Sequence, residues 1–271
     1  MGIRRPKRPI LGGYFVGEII SLGSLVRKFK VGERVFGSSQ LKLGAYGEYL
    51  SLPENYTVVP MPESLSYNEA AAIPLGGLNA LHFLSRARIQ SGERILINGA
   101  GGSIGIYGVQ IARSTGAHVT AVDTGHKEKM LRDLGFDHFI DYTRKPFWKN
   151  GERYDVILDM VAKSSYSKRI NSLVEGGRYF TANPRVSVMI RSLATSAFTS
   201  KSASFAFAGE TVEELNTLAE MIENRKIKPI IDRVYPMRKA AEAHHRVESE
   251  QRLGSVILSI AKMQSQSSLL Q

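Results

Sequence analysis

Four glycines and one aspartate carry the chemistry most legible in this sequence. Gly99, Gly101, Gly102 and Gly105 crowd a turn behind the apolar run Ile95, Leu96, Ile97, and a helical pattern starts at once, with Ile104, Gly108, Ile111 and Ala112 at helical spacing. Gly116 is placed to stop that helix, and residues 118–122 read as a second, β-branched strand ending in Asp123. Strand, glycine turn and helix in that order suit a pyrophosphate. Glycine lets backbone N–H groups approach phosphate oxygens closely, and the helix N-terminus adds partial positive charge. An acid about 20 positions further on can accept hydrogen bonds from adenosine ribose hydroxyls. Asp123 follows Gly101 by 22 positions.

A second reading of the same turn is a hydrolase. The letters GGSIG around Ser103 match the Gly-x-Ser-x-Gly nucleophile turn, and they lie between a strand and a helix as that motif requires. Gly99 ahead of the turn and Asp123 after the next strand are what a dinucleotide needs and a nucleophile does not. Ser103 therefore reads as a hydroxyl or backbone donor to pyrophosphate.

The elements that must hold this turn fall into three stretches. From Ile10 to Val59, short apolar runs broken by glycine (ILGGYFVGEIISLG, FKVGERVFG, LGAYGEYLSLP) predict an antiparallel or barrel-like β region. Pro60 and Pro62 mark a boundary, and residues 69–87 are helix-rich. Beyond the βαβ unit the alternation continues: a helix over 127–134 stopped by Gly135, a strand over 139–141, and a buried strand YDVILDMV at 154–161. A helix over 165–174 stopped by Gly176 and Gly177 follows, then a strand over 179–182, a helical or irregular stretch over 186–200 and a candidate last strand, SFAFA, at 204–208. Repeated β then α predicts a parallel, doubly wound sheet with ligands at the carboxyl ends of its strands. After Gly209 come an amphipathic helix over 212–224, the extended IKPIIDRVYP, a helix over 238–247, the strand SVILSIA and a polar tail.

Composition narrows the function classes. A hydrophobic share of 43% with 23% charged residues is that of a globular chain, and no apolar run approaches the ~20 residues of a membrane span. The N-terminus has basic residues but no long apolar region or small-residue cleavage site, so the expectation is a chain without a secretory signal, located in the cytoplasm. With no cysteine, thiolate nucleophiles, disulfides and cysteine-ligated zinc are all excluded. The net charge of +11 raises the question of nucleic acid. Arg4, Arg5, Lys7 and Arg8 form the one dense basic group, and without interleaved aromatic rings they read as a solvated lead-in rather than a nucleic-acid patch.

Taken together, LGGYFVGEIISLG, VGERVFG, GAYGEY, AAAIPLGGLNAL, INGAGGSIG, LGFDHFIDYT, YDVILDMV and KPIIDRVYPMRKAAEAHH resemble a zinc-independent medium-chain dehydrogenase/reductase of the quinone oxidoreductase type, from Ile10 to about Ile260. The resemblance implies the fold class: α/β, a Rossmann doubly wound parallel sheet plus a GroES-like β domain that is N-terminally incomplete, because the strands that relatives carry ahead of the basic segment are missing. It implies a discontinuous GroES-like domain over 1–63 and 210–262, a Rossmann domain over 64–209 and a polar tail over 263–271. It further implies NAD(P)H-dependent reduction of a quinone, enone or related small carbonyl compound, in homodimers. No metal ligand is expected, since Gly12, Gly13 and Tyr14 stand where zinc-dependent relatives have Gly-His-Glu. A nucleotide-binding homologue without turnover, or a non-enzymatic interaction protein, is the alternative.

On this resemblance the cofactor contacts are Asn79, Gly99, Gly101, Gly102, Ser103, Ile104, Gly105, Asp123, Thr124, Lys127, Tyr142, Val161 and Ala182. Asn79 stands where many relatives have threonine, and its amide can bond the nicotinamide carboxamide. Asp123 favours NADH, because a 2′-phosphate beside a carboxylate costs up to about 4 kcal/mol at 4 Å and an effective dielectric of 20. Against this, Lys127 and Tyr142 fall where the resemblance places phosphate contacts of NADPH enzymes, with a surface helix charge as the other reading of Lys127. Hydride transfer without a metal needs hydrogen-bond donors at the substrate oxygen. Tyr14, Tyr46 and Asn79 are the candidates. His82, in an apolar helix, reads as a core or capping histidine, and His244 and His245 are adjacent and cannot share one helix face.

Overall fold

The computed structural model describes residues 9–161, 165–182, 186–205 and 209–260; the basic group at 4–8, the end of SFAFA at 206–208 and the polar tail lie outside the described residues. Three short strands open the fold. β1 (Tyr14–Glu18) pairs antiparallel with β2 (Arg34–Ser38), and β2 with β3 (Thr57–Pro60), so that Val16 faces Phe36 and Phe36 faces Val59. The third strand is not the expected LGAYGEYLSLP. Gly44 takes φ +101, which ends extension there, and the Ala45 and Tyr46 N–H groups turn back onto the carbonyls of Gly12 and Leu11. The apolar spacing of that stretch serves a packed turn instead.

Two helices follow. A capping box between Ser66 and Glu69 starts α1 (Tyr67–Ala71), and α2 (Ile73–Ala87) buries Ile73, Leu78, Leu81, Phe83 and Leu84. Side chains of this size contribute about 1.5–3 kcal/mol each when fully buried.

The large sheet then builds outward from its centre. β4 (Arg94–Asn98), α3 (Ser103–Ser114), β5 (His118–Asp123), α4 (Glu128–Arg132) and β6 (His138–Asp141) form one half. β7 (Tyr154–Asp159), α5 (Tyr166–Asn171), β8 (Leu173–Thr181), α6 (Val186–Phe198) and β9 (Ser202–Phe205) form the other. All six strands are parallel in the order β6-β5-β4-β7-β8-β9. This is a Rossmann-type sheet, and its direction of winding reverses between β4 and β7, where a crevice opens at the strand ends. Side chains alternate along β4: Ile95 and Ile97 join the core under α2 and α3, while Leu96 joins the opposite one with Ile157 and Tyr179.

One helix differs from its expected extent. α5 stops at Asn171, and Val174, Gly176 and Gly177 lie inside β8. Leu173 pairs with Tyr154 and Arg178 with Val156, so β8 carries extra residues at this point, and Gly176 takes φ +74 within them. The glycine pair makes an irregularity in a strand rather than a helix stop.

After Gly209 a capping box of Thr211 with Glu214 starts α7 (Val212–Glu223), whose Leu215, Leu218 and Ile222 pack into the core beside α2. β10 (Ile231–Pro236) and β11 (Ser255–Ser259) flank α8 (Ala240–Glu248) and pair with each other in parallel. Among the described residues no helix is long and apolar enough to cross a membrane.

Candidate functional site

The glycine turn sits at the winding reversal. Gly99 leaves β4 with φ +87, and a Cβ there would meet Val161, just past β7, at 2.8 Å, so the loops after the two central strands touch. A Cβ on Gly105 would collide with the Gly99 carbonyl, which is why the first turn of α3 can lie so close to the strand end. Gly102 caps α3 and no side chain bonds its first amides, in contrast with the capping boxes of α1 and α7. The N–H groups of Ser103 and Ile104 are thus without a side-chain acceptor, the condition under which a helix N-terminus can take an anion.

Asp123 ends β5 beside this turn and is 4% exposed. Its Oδ2 accepts the Gly101 N–H at 2.7 Å, and its Oδ1 accepts the Thr124 N–H at 2.8 Å. The Lys127 ammonium also reaches Oδ1, at 3.1 Å. Lys127 is only 5% exposed, so it is no surface helix charge; its stem crosses the space a Cβ on Gly101 would fill. The carboxylate expected to repel a 2′-phosphate is thus paired with an ammonium that offsets its charge. Tyr142 lies past β6, and its N–H bonds the Asp123 carbonyl at 3.2 Å. Partial burial, followed by the charges of Asp123, Glu250 and Asp141, pushes the pKa of its phenol upward. Val161 touches Gly99 as described, and Ala182 follows β8, partly buried against the core under α2 and α3. The turn thus gathers the predicted glycines, Ser103, Ile104, Asp123, Thr124, Lys127 and Val161.

A second polar group joins the small sheet to α2. The Tyr14 hydroxyl donates to Glu210 Oε1 at 2.6 Å, and the Ser38 hydroxyl to Oε2 at 2.5 Å. Thr57 donates to the Glu210 carbonyl. The Asn79 amide donates to the Leu75 carbonyl at 2.8 Å and lies against the Tyr14 hydroxyl. Burial first, then the Glu210 carboxylate, pushes the ionisation of Tyr14 well above the ordinary phenol range. Tyr14 and Asn79 are therefore brought together, with the one proton of Tyr14 committed to Glu210. Tyr46 goes elsewhere: its hydroxyl lies 3.2 Å from His244 Nε2. Glu210 carries no motif, and 196 residues separate it from Tyr14, so no spacing rule pairs them.

The other histidines with contacts also have structural or local partners. His82 Nδ1 meets Glu214 at 2.8 Å and ties α2 to α7, and His126 meets Thr124 at 2.9 Å. Among the described residues no histidine bonds Ser103, and no group of three or more His, Asp or Glu side chains converges as a metal site would require.

Comparison with known proteins agrees with this geometry. Residues 1–63 match the alcohol dehydrogenase GroES-like domain, and residues 134–258 the family described as zinc-binding dehydrogenase. The chain is 33% identical over 270 residues to the quinone oxidoreductase of Sus scrofa, covering 94% of this chain and 81% of that one. To the quinone oxidoreductase of Mus musculus it is 32% identical over 256 residues, with 89% and 77% covered. The solved structure of the quinone oxidoreductase from Coxiella burnetii superposes with a TM-score of 0.85 at 26% identity, covering 93% of this chain and 79% of that one. A glycine turn at the winding reversal, an acid at the end of the next strand and these likenesses over nearly the whole chain have one reading: the chain belongs to the medium-chain dehydrogenase/reductase family, nicotinamide-dependent oxidoreductases, among its quinone-oxidoreductase-like members.

Proposed function

We propose that this chain reduces a quinone, an enone or a related small carbonyl compound with NAD(P)H, and does so without zinc. The observation that carries the reading is the uncapped N-terminus of α3, placed at the winding reversal beside Asp123, whose carboxylate holds the Gly101 N–H at 2.7 Å. A bound nicotinamide supplies the hydride. The chain's own part is to hold the pyrophosphate at the α3 amides, the adenosine end at Asp123 and Lys127, and the carboxamide at Asn79. With both donor contacts of its nitrogen turned inward, to Leu75 and toward Tyr14, Asn79 offers its oxygen as an acceptor. The absence of cysteine and the tyrosine at position 14 support the zinc-free reading.

The Lys127–Asp123 pair bears on the cofactor. Its ammonium offsets the carboxylate and is itself a partner for a 2′-phosphate, whereas NADH requires ribose hydroxyls to replace Lys127 as donors to Asp123. This supports NADPH over the NADH expected from Asp123 alone. Fluorescence titration with each cofactor, followed by turnover with a benzoquinone and with an enone, tests the reading. Saturable binding of a reduced cofactor and its oxidation by either acceptor is expected. A folded sample that binds neither cofactor overturns it.

A further inference from the structure

The glycine turn is tied to its two neighbouring strands in different ways. On the β5 side the ties are backbone: the N–H groups of Gly99 and Ala100 both bond the Val122 carbonyl, at 2.9 and 3.1 Å. On the β7 side the ladder ends where Asn98 faces Asp159. Past that pair the chains part, because α3 packs in the core with Ile95 and Ile97 while α5 packs on the opposite face with Leu96 and Ile157. One backbone bond follows, from the Met160 N–H to the Asn98 carbonyl at 3.0 Å. The Val161 N–H lies beyond the end of β4 and still needs an acceptor. Asp159 Oδ1 supplies it, at 3.2 Å.

The two oxygens of Asp159 divide their partners. Oδ1 takes the groups at the crevice, the Val161 N–H and the Asn98 amide, the latter at 2.8 Å. Oδ2 takes the anchors from α5 and β8, Arg169 Nη1 at 2.5 Å and the Tyr179 hydroxyl at 2.8 Å. That hydroxyl in turn accepts Arg169 Nη1 at 2.7 Å, which closes a triangle behind the carboxylate. A carboxylate is planar, so anchoring one oxygen fixes the direction of the other. Asp159 is therefore an aimed acceptor, and through Asn98 it sets how far the segment after β7 stands from the end of β4.

That segment forms one side of the crevice. A Cβ on Gly99 would stand 2.8 Å from Val161 Cγ2 and 3.4 Å from Met160 Cβ, so both side chains lie directly on the turn, and both are half-buried. A dinucleotide with its adenosine end at Asp123 on β5 has to cross Gly99 to place its other half on the β7 side.

We propose that Asn98 and Asp159 are positioning residues for the nicotinamide half of the cofactor: their side-chain bond holds Met160 and Val161 against Gly99 and so sets the surface on which that half rests. The inference rests on the dinucleotide reading and adds to it that the two halves of the ligand are placed by separate networks. Titration of the full chain with ADP and with NADPH, on the wild type and Asn98→Ala, tests it. Asn98→Ala cuts the side-chain link to β4 and leaves the Arg169–Asp159–Tyr179 triangle in place. Affinity for ADP is unchanged, whereas NADPH weakens by roughly 3- to 10-fold, part of the worth of one hydrogen bond to a charged group. The fluorescence gain of bound NADPH also shrinks, since that emission reports the surroundings of the reduced nicotinamide. Wild-type affinity for NADPH in the variant, or an unchanged fluorescence gain, overturns the inference and leaves the dinucleotide reading standing. Equal losses for ADP and NADPH overturn it too, because the bond then supports the site as a whole. Should Asn98→Ala fail to fold, Asn98→Thr, which suits a strand but ends one bond short of the Asn98 nitrogen, is read in the same way. A wild type that binds neither ADP nor NADPH removes both the inference and the reading beneath it.

Discussion

Two acid–base pairs are buried at the same edge of the large sheet, one on each strand that flanks β4, and they differ in what surrounds them. Asp159, at the end of β7, is fully buried and holds Arg169 at 2.5 Å. The Tyr179 hydroxyl joins it at 2.8 Å, and the Asn98 amide from the end of β4 at 2.8 Å. The Arg169 guanidinium also lies over the rings of Tyr166 and Tyr179. Asp123, at the end of β5, has nearly the same burial, but its partner is a lysine beside an uncapped helix. Arginine in a fixed fork among aromatic rings belongs to one arrangement, whereas an ammonium on a flexible stem is exchangeable for ribose hydroxyls or free to meet a phosphate. On the function proposed above, what marks the binding site is not burial of charge alone but an exchangeable partner next to open backbone donors.

That contrast is open to direct tests. The largest effect is expected at Arg169→Met, which removes the buried guanidinium bonded to both Asp159 and Tyr179 and lowers stability by about 3–5 kcal/mol in urea denaturation. A loss below 1 kcal/mol would mean that the sealed pair does not hold the ends of β4 and β7. Lys127→Met leaves Asp123 with its two backbone donors, so the expected loss is smaller, about 1.5–3 kcal/mol, and the effect on ligand binding is larger. NADPH affinity is expected to fall roughly tenfold or more while NADH is held or improved; equal losses for both would deny Lys127 a part in choosing the cofactor. Asp123→Ala acts in the opposite sense, weakening NADH more than NADPH, as paired titrations would show.

The smallest effect separates two tyrosines. Tyr179, beside Asp159, is pushed far above the ordinary phenol range, by burial first and by the carboxylate second. Its raised native value means that stability is intact below the unfolded value of about 10 and falls as pH rises above it, because only the unfolded chain releases that proton. Tyr142, 43% exposed near Asp123, is raised too but titrates in the folded protein. Absorbance at alkaline pH should show Tyr142 among the phenols that ionise before unfolding, a signal that Tyr142→Phe lowers by one phenol. Tyr179→Phe should leave that signal and flatten the alkaline fall in stability.

Much of this was legible along the chain. The βαβ unit, the acid 22 positions from Gly101, the amphipathic α7 and the parallel alternation each depend on residues within one element or between consecutive ones. Where local patterns were ambiguous, pairing decided. Gly176 and Gly177 look like a helix stop and sit inside a strand, because β7 offers Leu173 and Arg178 partners that a helix would forgo. LGAYGEYLSLP has the apolar spacing of a strand and forms a turn, because Leu11 and Gly12 accept its amides and Gly44 is left-handed.

What the sequence alone determined is the glycine turn and its acid, since positive φ, close backbone approach and the reach of one strand are local demands that glycine and aspartate meet by type and spacing. The spacing of Asp123 and Lys127 allowed their contact, but only packing across Gly101 buried it. Only the tertiary structure decided where the proton of Tyr14 is held. Glu210 comes from a segment far along the chain, and no periodicity relates side chains that meet only when separate elements pack.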